Sequence, residues 1–306
     1  MIAFLAARIA HSLLILFGVA AITFLLLRYL PADPAALIAG RSANAATIAN
    51  VRHQLGLDLA APVQFWRYLT GLAHGDLGRS YVQRTQVADL IVARVPATLI
   101  LTLAGIVVEV ALGLTAGVLA AVSRNGLIDR IVMTLAFTGV SAPQFVVALL
   151  LLYAFAATLD WFPMSGFGTP AHVVLPALTL GLLGAGWYAR MVRSAMIDVL
   201  NQDYVRTARA KGLSNARVIL RHALPNALLP IVAMIGIDVG QFMGGVVVVE
   251  AVYGWPGIGQ LAWQAIQQVD LPIIMGVTLV SSVAIVIGNL IADLVAPALD
   301  PRIRAG

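Results

Sequence analysis

Two acidic residues stand in long apolar stretches of the sequence, where an ionised side chain is costly. Glu109 lies in the middle of residues 97–122, and Asp238 lies in the middle of residues 224–249. A carboxyl group inside a membrane faces the bundle interior or a water-filled path, so either residue could relay a proton or ion. Neither stretch contains a Lys or Arg partner. This favours polar contacts between helices, or the lining of a translocation path, over a relay.

Residues for other common chemistries are absent or isolated. The chain has no cysteine, and its five histidines stand alone, without the H-E-x-x-H spacing of a metalloprotease. Lys211, the only lysine, lies between Ala210 and Gly212, so there is no Walker A motif to bind ATP. Ser165 is not in a G-x-S-x-G frame. We therefore expect no catalytic residue, no metal site and no cofactor in this chain.

The composition identifies the elements that carry these residues. Hydrophobic residues make up 60% of the 306 residues and charged residues only 11%, which excludes a soluble protein of this size. A bilayer core of about 30 Å needs about 20 apolar residues in a helix. The sequence therefore predicts an all-α, polytopic membrane protein with about six transmembrane helices. The apolar windows are 9–27, 97–122, 131–158, 173–189, 224–249 and 271–296.

The positions of the basic residues predict the orientation. Short cytoplasmic loops are enriched in Lys and Arg, and the segments 159–172 and 250–270 contain none. We expect both termini to be cytoplasmic. The first window is longer than the apolar part of a signal peptide and is read as a retained span. The basic residues on the predicted cytoplasmic side are Arg8, Arg124, Arg130, the seven in 190–222, Arg302 and Arg304.

The windows divide the chain into three parts: an N-terminal transmembrane helix (1–28), an extracytoplasmic region (29–96) and a core (97–306). Residues 29–96 show helical periodicity in Ile48, Val51 and Leu55, and again in Val63, Trp66, Leu69 and Leu72. Short amphipathic helices fit this pattern. They would either cap the transmembrane bundle or form a docking surface for an external partner.

Residues 190–222 form a basic loop that is predicted to face the cytoplasm. Asp203 is placed to cap a helix through residue 210, and Gly212 to end it in a left-handed conformation. Ser214 would cap a second helix with an apolar face of Ala216, Ile219, Leu220 and Ala223. Such a helical pair is either a rigid lever joined to the fifth span or an interfacial pair that contacts only lipid headgroups.

Glycines at four-residue intervals predict close helix packing in two spans. Gly236, Gly240 and Gly244 follow this spacing in the fifth span, and Gly113 and Gly117 follow it in the second. The partner helices could belong to this chain or to a second hydrophobic subunit.

The basic loop resembles the cytoplasmic "EAA" loop of binding-protein-dependent ABC import permeases. It reads D-Y-V-R-T-A-R-A-K-G-L-S over residues 203–214, and H-A-L-P follows at 222–225. The family pattern is E-A-A-x-x-x-G, nine residues, then I-x-L-P. Arg206 replaces the Glu, Thr207 the first Ala, and His222 the Ile. These departures are typical of the dipeptide, oligopeptide and nickel branch.

Further motifs extend the resemblance along most of the chain, and the long outer segment after the first span is similar to the B-type, or first, permease of that branch. The motifs are Pro31-Ala32-Asp33-Pro34, Gly75-Asp76-Leu77-Gly78-Arg79-Ser80, Pro96-Ala97-Thr98-Leu99, Trp255-Pro256-Gly257-Ile258-Gly259 and Asp300-Pro301-Arg302-Ile303-Arg304.

The resemblance implies a type I ABC importer permease fold and an assembly of several subunits in the bacterial inner membrane. The partners would be a C-type permease, two ATPases that bind ATP and Mg, and an extracytoplasmic solute-binding protein. Membrane lipid is a partner, and nucleic acid is not. The 203–213 loop would form the coupling helix against an ATPase, with Arg206, Ala208 and Gly212 at the core of the contact. The coupling residues carried over are Asp203, Tyr204, Arg206, Thr207, Ala208, Arg209, Lys211, Gly212, Leu213, Leu224 and Pro225.

The chain is therefore read as a permease subunit of an ATP-driven importer that performs no bond chemistry itself. Peptides are the first expectation for the cargo, and nickel chelates or other small solutes are the alternative within the same class. The rival class is an ion-coupled secondary transporter that uses Glu109 and Asp238. A membrane subunit without transport activity is the third interpretation.

Overall fold

The computed structural model describes residues 2–29, 33–40, 43–244 and 246–299, and these residues are almost entirely helical. An isolated antiparallel bridge joins Arg79 and Gln86. The all-α prediction is confirmed. The α-helices are α1 (Ile2–Tyr29), α2 (Pro34–Ala39), α3 (Ala45–Gln54), α4 (Ala61–Ala73), α5 (Val87–Val92), α6 (Val95–Val122), α7 (Leu127–Ser141), α8 (Gln144–Leu151), α9 (Pro170–Leu200), α10 (Asp203–Ala210), α11 (Asn215–Arg217), α12 (Leu224–Ala227), α13 (Leu229–Met243), α14 (Val247–Val252), α15 (Ile258–Gln268) and α16 (Leu271–Leu299).

The transmembrane elements agree with the predicted number of spans. Four helical stretches are long and apolar enough to cross a bilayer, and two bent pairs raise the number to six if each pair is one span. The four are 7–26, 87–122, 170–200 and 271–293. The bent pairs are 127–141 with 144–158, and 215–227 with 230–243.

The third predicted window is not one straight helix. The chain bends by 105° between α7 and α8, where Ala142 is extended and Pro143 precedes the first residue of α8. A residue before proline is driven out of the helical region by the proline ring, which explains the bend. After α8 the helix continues to Thr158 as a π-helix from Leu152.

The fourth window, 173–189, is short for a span and carries Pro176, so the sequence predicts a tilted or broken helix there. In the structure α9 is instead a continuous helix of 31 residues with Pro176 buried inside it. At 1.5 Å per residue this helix is about 46 Å long. A proline is tolerated inside a transmembrane helix when neighbouring helices surround the backbone, and α6 packs along most of α9.

Close helix contacts at glycine build the core from two helix pairs. Gly113 and Gly117 of α6 face α9, and Gly236 and Gly240 of α13 face α16. A Cβ atom at Gly117 would lie 2.6 Å from both the carbonyl oxygen of Ala189 and the Cβ of Val192. The predicted close packing therefore occurs within this chain. Gly244 does not make such a close backbone contact, because the nearest atom of α16 to its Cβ position is in the side chain of Ile285, at 3.5 Å.

The outer region contains the short helices α2 to α5, as the periodicity indicated, and α4 places Phe65 and Tyr68, which lie outside the predicted apolar set, against α1. Trp66 is 67% exposed. The side chains that contact α1 are Phe65 and Tyr68, whose rings lie 5.1 and 6.1 Å from that of Phe24. The side of α4 that carries Phe65 and Tyr68 faces α1 because Phe24 of α1 supplies an aromatic ring for both to pack against.

The first and last long helices are also joined. Arg8 of α1 forms an ion pair with Asp293 of α16 at 3.1 Å, with both side chains partly exposed. Several residues used in the sequence analysis lie outside the described part of the chain: Pro31 and Ala32, Arg302 and Arg304, and the ending 300–304.

Candidate functional site

The loop after α9 folds into a small helical unit with its own core. Val205 and Ala208 on one face of α10 are buried against Val218, with Leu200 and Leu213 packed around them. Because α10 begins three residues after α9 ends, this core attaches α10 to the end of α9. The unit is therefore fixed in orientation relative to that long helix.

Gly212 ends α10 in the way the sequence predicted. Its φ is +77°, and its N–H donates to the carbonyl of Arg209 at 2.9 Å. The N–H of Leu213 donates to the carbonyl of Ala208 at 3.4 Å. These two bonds form a Schellman motif, whose left-handed residue is usually glycine.

Asp203 does not cap α10 as expected. It is the first residue of the helix, Gln202 occupies the N-cap position, and no side chain caps the helix. The carboxylate of Asp203 instead lies 3.7 Å from Arg206, with both side chains largely exposed. A carboxylate in the first turn still favours the helix through the helix dipole.

The structure sorts the predicted coupling residues by exposure. Ala208 is only 6% exposed, so it serves the core of the loop rather than its outer surface. Leu224 is partly buried against the spans and Leu213 against the loop's own core, while Pro225 is exposed. The predicted coupling residues that are exposed on and after α10 are Asp203, Tyr204, Arg206, Thr207, Arg209, Lys211 and Gly212.

The second helix of the loop has a different apolar face from the predicted one. Val218 and Ala223 are buried, whereas Ala216 is exposed and Leu220 is 61% exposed. The reason is a π-helix from Val218 to Ala223, which has more residues per turn than an α-helix and moves the buried positions along the sequence. Leu220 consequently adds an apolar side chain to the exposed surface near α10.

An apolar cluster connects this loop to the spans. Tyr188, Val192 and Met196 of α9 pack with Ala223, Ala227 and Ile231 at the start of the fifth span. All six side chains are at most 2% exposed. A displacement of the loop is therefore transmitted to α9 and to the fifth span together, because a packed core does not compress.

Deeper in the bundle, Asp238 contacts Tyr188 of α9, and Glu109 contacts α9 one turn earlier, at Gly184. The hydroxyl of Tyr188 donates a short hydrogen bond to Oδ2 of Asp238. Glu109 is 3% exposed, and its carboxyl group fills the space that a Cβ atom at Gly184 would occupy. The sequence did not point to Tyr188 or Gly184. The structure thus joins α6, α9 and α13 through polar groups at this junction.

A second polar junction ties α7 to α9. Arg193 donates two hydrogen bonds to the carboxylate of Asp129, at 2.6 and 2.7 Å. Asp129 also accepts a hydrogen bond from the backbone N–H of Asn125 at 2.9 Å. Asp129 is 4% exposed, so this bidentate pair is largely shielded from water.

Asp129→Asn is expected to lower the free energy of unfolding by about 1–3 kcal/mol, because the charge-assisted hydrogen bonds between the buried carboxylate and Arg193, whose side chain is 26% exposed, would be lost. Thermal unfolding of the purified protein in detergent measures this. Arg130→Gln is the matched control, since Arg130 is exposed at the next position. Equal midpoints for Asp129→Asn and the control would show that the pair does not stabilise the fold.

On the opposite side of the bundle from the loop, two of the sequence motifs meet at Glu250. Its carboxylate accepts hydrogen bonds from Thr98 at 2.9 Å and from the backbone N–H of Gln260 at 2.8 Å. Thr98 accepts one from the N–H of Ile258 at 2.9 Å, and the indole N–H of Trp255 donates to Ala97 at 2.9 Å. The 96–99 and 255–259 motifs therefore form one joint between α6 and α15.

Glycine makes this joint possible. A Cβ atom at Gly257 would lie 2.0 Å from the completely buried Glu250 carboxylate, and one at Gly259 would lie 2.8 Å from Cα of Val247 and 2.9 Å from the same carboxylate. Sequence reasoning missed Glu250. The available signal was that it is one of only two glutamates in the chain and precedes the 255–259 motif by five residues.

The buried Glu250 predicts a specific pH dependence of stability. Burial raises the pKa of this carboxyl above its usual value, although hydrogen bonds from Gln260, Thr98 and Gly259 oppose the shift. The folded protein then binds the proton more tightly than the unfolded chain. The contribution of Glu250 to stability is therefore greatest below the unfolded pKa and falls as pH rises through the folded pKa.

Glu250→Gln removes this titration. The unfolding midpoint of the variant minus that of wild type is therefore expected to be larger at pH 8 than at pH 5. Thermal unfolding in detergent at both pH values gives the comparison. Asp160→Asn, an acid-to-amide change at an exposed position, should follow the wild-type pH dependence. If the unfolding midpoints of Glu250→Gln and wild type differed by the same amount at both pH values, Glu250 would not be the source of this pH dependence.

The outer motif at 75–80 is held in a similar way by a buried acid. The carboxylate of Asp270 accepts from the hydroxyl of Ser80 at 2.5 Å and from the N–H groups of Tyr81 and Val82 at 3.2 and 3.1 Å. Burial and the nearby Asp270 carboxylate raise the pKa of Tyr81 to about 12. Asp270 immediately precedes α16, so the outer loop is fastened to the last span.

The architecture defines a polytopic helical membrane protein with a helical loop between two spans. Residues 113–305 match the family described as binding-protein-dependent transport system inner membrane component. Residues 1–102 match the N-terminal membrane component of the same transport systems. The chain belongs to this family, and it is a permease subunit of an ABC importer rather than an enzyme.

Curated relatives support the same assignment over nearly the whole length. The chain is 45% identical over 286 residues to the glutathione transport system permease protein GsiC of Salmonella paratyphi A, covering 94% of each protein. It is 44% identical over 289 residues to GsiC of Escherichia coli, again covering 94% of each. These relatives confirm the resemblance to the dipeptide and oligopeptide type of permease.

Solved structures agree on the fold. Two inward-facing structures of the MetNI methionine ABC transporter match with TM-scores of 0.57 and 0.59, at 22% and 20% identity. Each match covers 69% of this chain and 96% of the other. The predicted importer permease fold is confirmed.

Proposed function

We propose that this chain is the first permease of an importer for small peptides, including glutathione-like tripeptides. The observation that carries the proposal is the 44–45% identity to glutathione permeases over 94% of both chains. Nickel complexes and other small solutes remain the competing cargoes within the same class.

The partners follow from this assignment. A second permease would complete the membrane path, two ATPases would supply the energy, and a solute-binding protein would deliver the cargo on the outer side. ATP and Mg would be bound by the ATPases. Both termini and the 190–222 loop would face the cytoplasm, as the distribution of basic residues favours.

The exposed surface of α10 would be the ATPase contact. Tyr204 and Leu220 offer apolar area, 44% and 61% exposed, and Arg206, Arg209 and Lys211 surround them with positive charge. Nucleotide-driven closure of the ATPases would move this surface, and the packed cluster around Tyr188 and Val192 would carry the movement into α9 and the fifth span. Alternating access would result.

The first experiment is gentle detergent purification of the tagged chain, expressed from its native operon, followed by identification of co-eluting proteins and an uptake assay. Stoichiometric recovery of a second permease and ATPases, with ATP-dependent uptake of glutathione or dipeptides in the presence of the binding protein, is expected. ATP-dependent uptake of nickel complexes but not of peptides would show that the cargo is a nickel complex. Uptake by the isolated chain without ATP, collapsed by a protonophore, would replace the proposal with an ion-coupled transporter.

A further inference from the structure

Asp238 lies in the middle of a span and is only partly buried. On the same helix, Gly236 and Gly240 pack against α16. A position two residues away points about 200° around an α-helix, so Asp238 lies on the other side of α13, where Tyr188 meets it. A partly exposed carboxyl at this depth does not face hydrocarbon. This side of α13 therefore borders a polar path.

Tyr188 fixes the orientation of the Asp238 carboxylate. Tyr188 is 1% exposed, and its backbone and Cβ lie against Gly113 of α6, so its position is set by the α6–α9 contact. Its hydroxyl donates to Oδ2 of Asp238. Among the described residues, no hydrogen bond reaches Oδ1 of Asp238. One oxygen is thus held in place and the other remains available to a ligand.

Glu109 of α6 adds a second carboxyl group, which lies against Gly184, one helical turn before Tyr188 on α9. It is 97% buried, and its Oε2 atom makes no hydrogen bond to any described residue. A polar atom buried in this way is costly without a partner. Glycine at position 184 leaves the space in which this carboxyl sits, so the backbone of α9 is shaped to accommodate it.

Among the described helices that carry these acids, α6 and α13 supply no counter-charge. The sequence of 95–122 and of 224–243 contains no Lys or Arg. The nearest cations along α9 are otherwise engaged: Arg190 lies over the rings of Phe137 and Trp187, and Arg193 binds Asp129. Buried acids are either neutralised or paired with a cation. A cation that arrives with the cargo would satisfy this requirement.

We propose that Asp238, oriented by Tyr188 and backed by Glu109, transiently binds the protonated amino group of the transported solute. The inference rests on the proposed function, because peptides carry a primary ammonium group. Such a group has three N–H donors and no acceptor, so it can donate to the Oδ1 atom of Asp238 that Tyr188 leaves available. Binding at this depth would be weak, since a transport site must also release its ligand.

The test uses the whole complex of permeases and ATPases in nanodiscs, without ATP and without the binding protein. Saturation-transfer NMR compares two probes, reduced glutathione and glutathione acetylated at its amino group. Wild-type complex is expected to bind the free-amine probe at least about tenfold more tightly, the size expected for a charge-assisted hydrogen bond. Asp238→Asn should remove this preference, and Asp238→Glu should restore part of it.

The controls separate the inference from folding and from the proposed function. Asp160→Asn, an exposed outer-loop change, should keep the full preference for the free amine. Equal binding of the two probes by wild type, no binding of either probe, or an unchanged preference in a folded Asp238→Asn complex would overturn the inference. The proposed function fails separately, if the complete importer shows no ATP-dependent uptake of glutathione or dipeptides.

Discussion

Replacing Gly212 with tryptophan is expected to reduce ATP-driven uptake at least about tenfold while the protein is still made and inserted. The left-handed conformation at φ +77° costs a side-chain-bearing residue about 1–2 kcal/mol, so the chain would leave the Schellman turn and α10 would change direction. No atom lies within 4 Å of the position of a Cβ atom at Gly212. The loss would therefore come from the turn and from the docking surface, not from a clash inside the fold.

The matched control is Gly75→Trp. Gly75 has φ +78° and likewise has open space around it, but it lies in the outer region. Both variants carry the same backbone strain, and only Gly212→Trp alters the loop assigned to the ATPase contact. Uptake and binding-protein-stimulated ATP hydrolysis are measured for both. Equal losses in the two variants would mean that strain alone, rather than coupling, explains the effect.

Gly117→Leu should have the largest effect on the fold, with a loss of about 3 kcal/mol in the free energy of unfolding, at the upper end for overpacking. The new side chain would begin 2.6 Å from the carbonyl oxygen of Ala189 and from Cβ of Val192. Neither of these atoms can move without shifting α9. Separation of α6 from α9 would also disturb the cluster that links the loop to the spans.

Gly18→Leu makes the same substitution in another transmembrane helix, where no atom lies within 4 Å of the added Cβ. This variant should unfold at nearly the wild-type temperature. Size-exclusion profiles and thermal unfolding in one detergent compare the two. A Gly117→Leu protein as stable as Gly18→Leu would show that the α6–α9 contact tolerates an extra side chain and that the glycine is not required for packing.

The sequence predicted what periodicity and hydropathy encode: the all-helical class, six possible spans and close packing at Gly113, Gly117, Gly236 and Gly240. It did not predict how local geometry redirects those elements. Pro143 bends the third span through 105°, whereas Pro176 leaves α9 continuous. The residue type is the same, and the difference lies in the packing around each proline, which hydropathy does not record.

The candidate site was predicted in part, for a similar reason. Exposure on α10 followed from the loop sequence, but the π-helix at 218–223 exchanged the expected positions of Leu220 and Val218. The polar partners of the membrane region were also missed. Tyr188, Gly184 and Thr98 acquire their roles only through residues 50 to 152 positions away, such as Asp238 and Glu250, and these pairings have no local signature.

The continuity of α9 also limits how its gene can vary in length. One face of this helix presents Gly181 and Gly184 to α6, and another presents Gly186 to α7, while Tyr188 contacts Asp238 and Arg193 reaches Asp129. A single inserted or deleted residue turns everything beyond it by about 100° and would misalign these contacts together. Because the helix has no bulge or loop within it to absorb the change, this segment can vary by substitution but not by the insertion or deletion of a single residue.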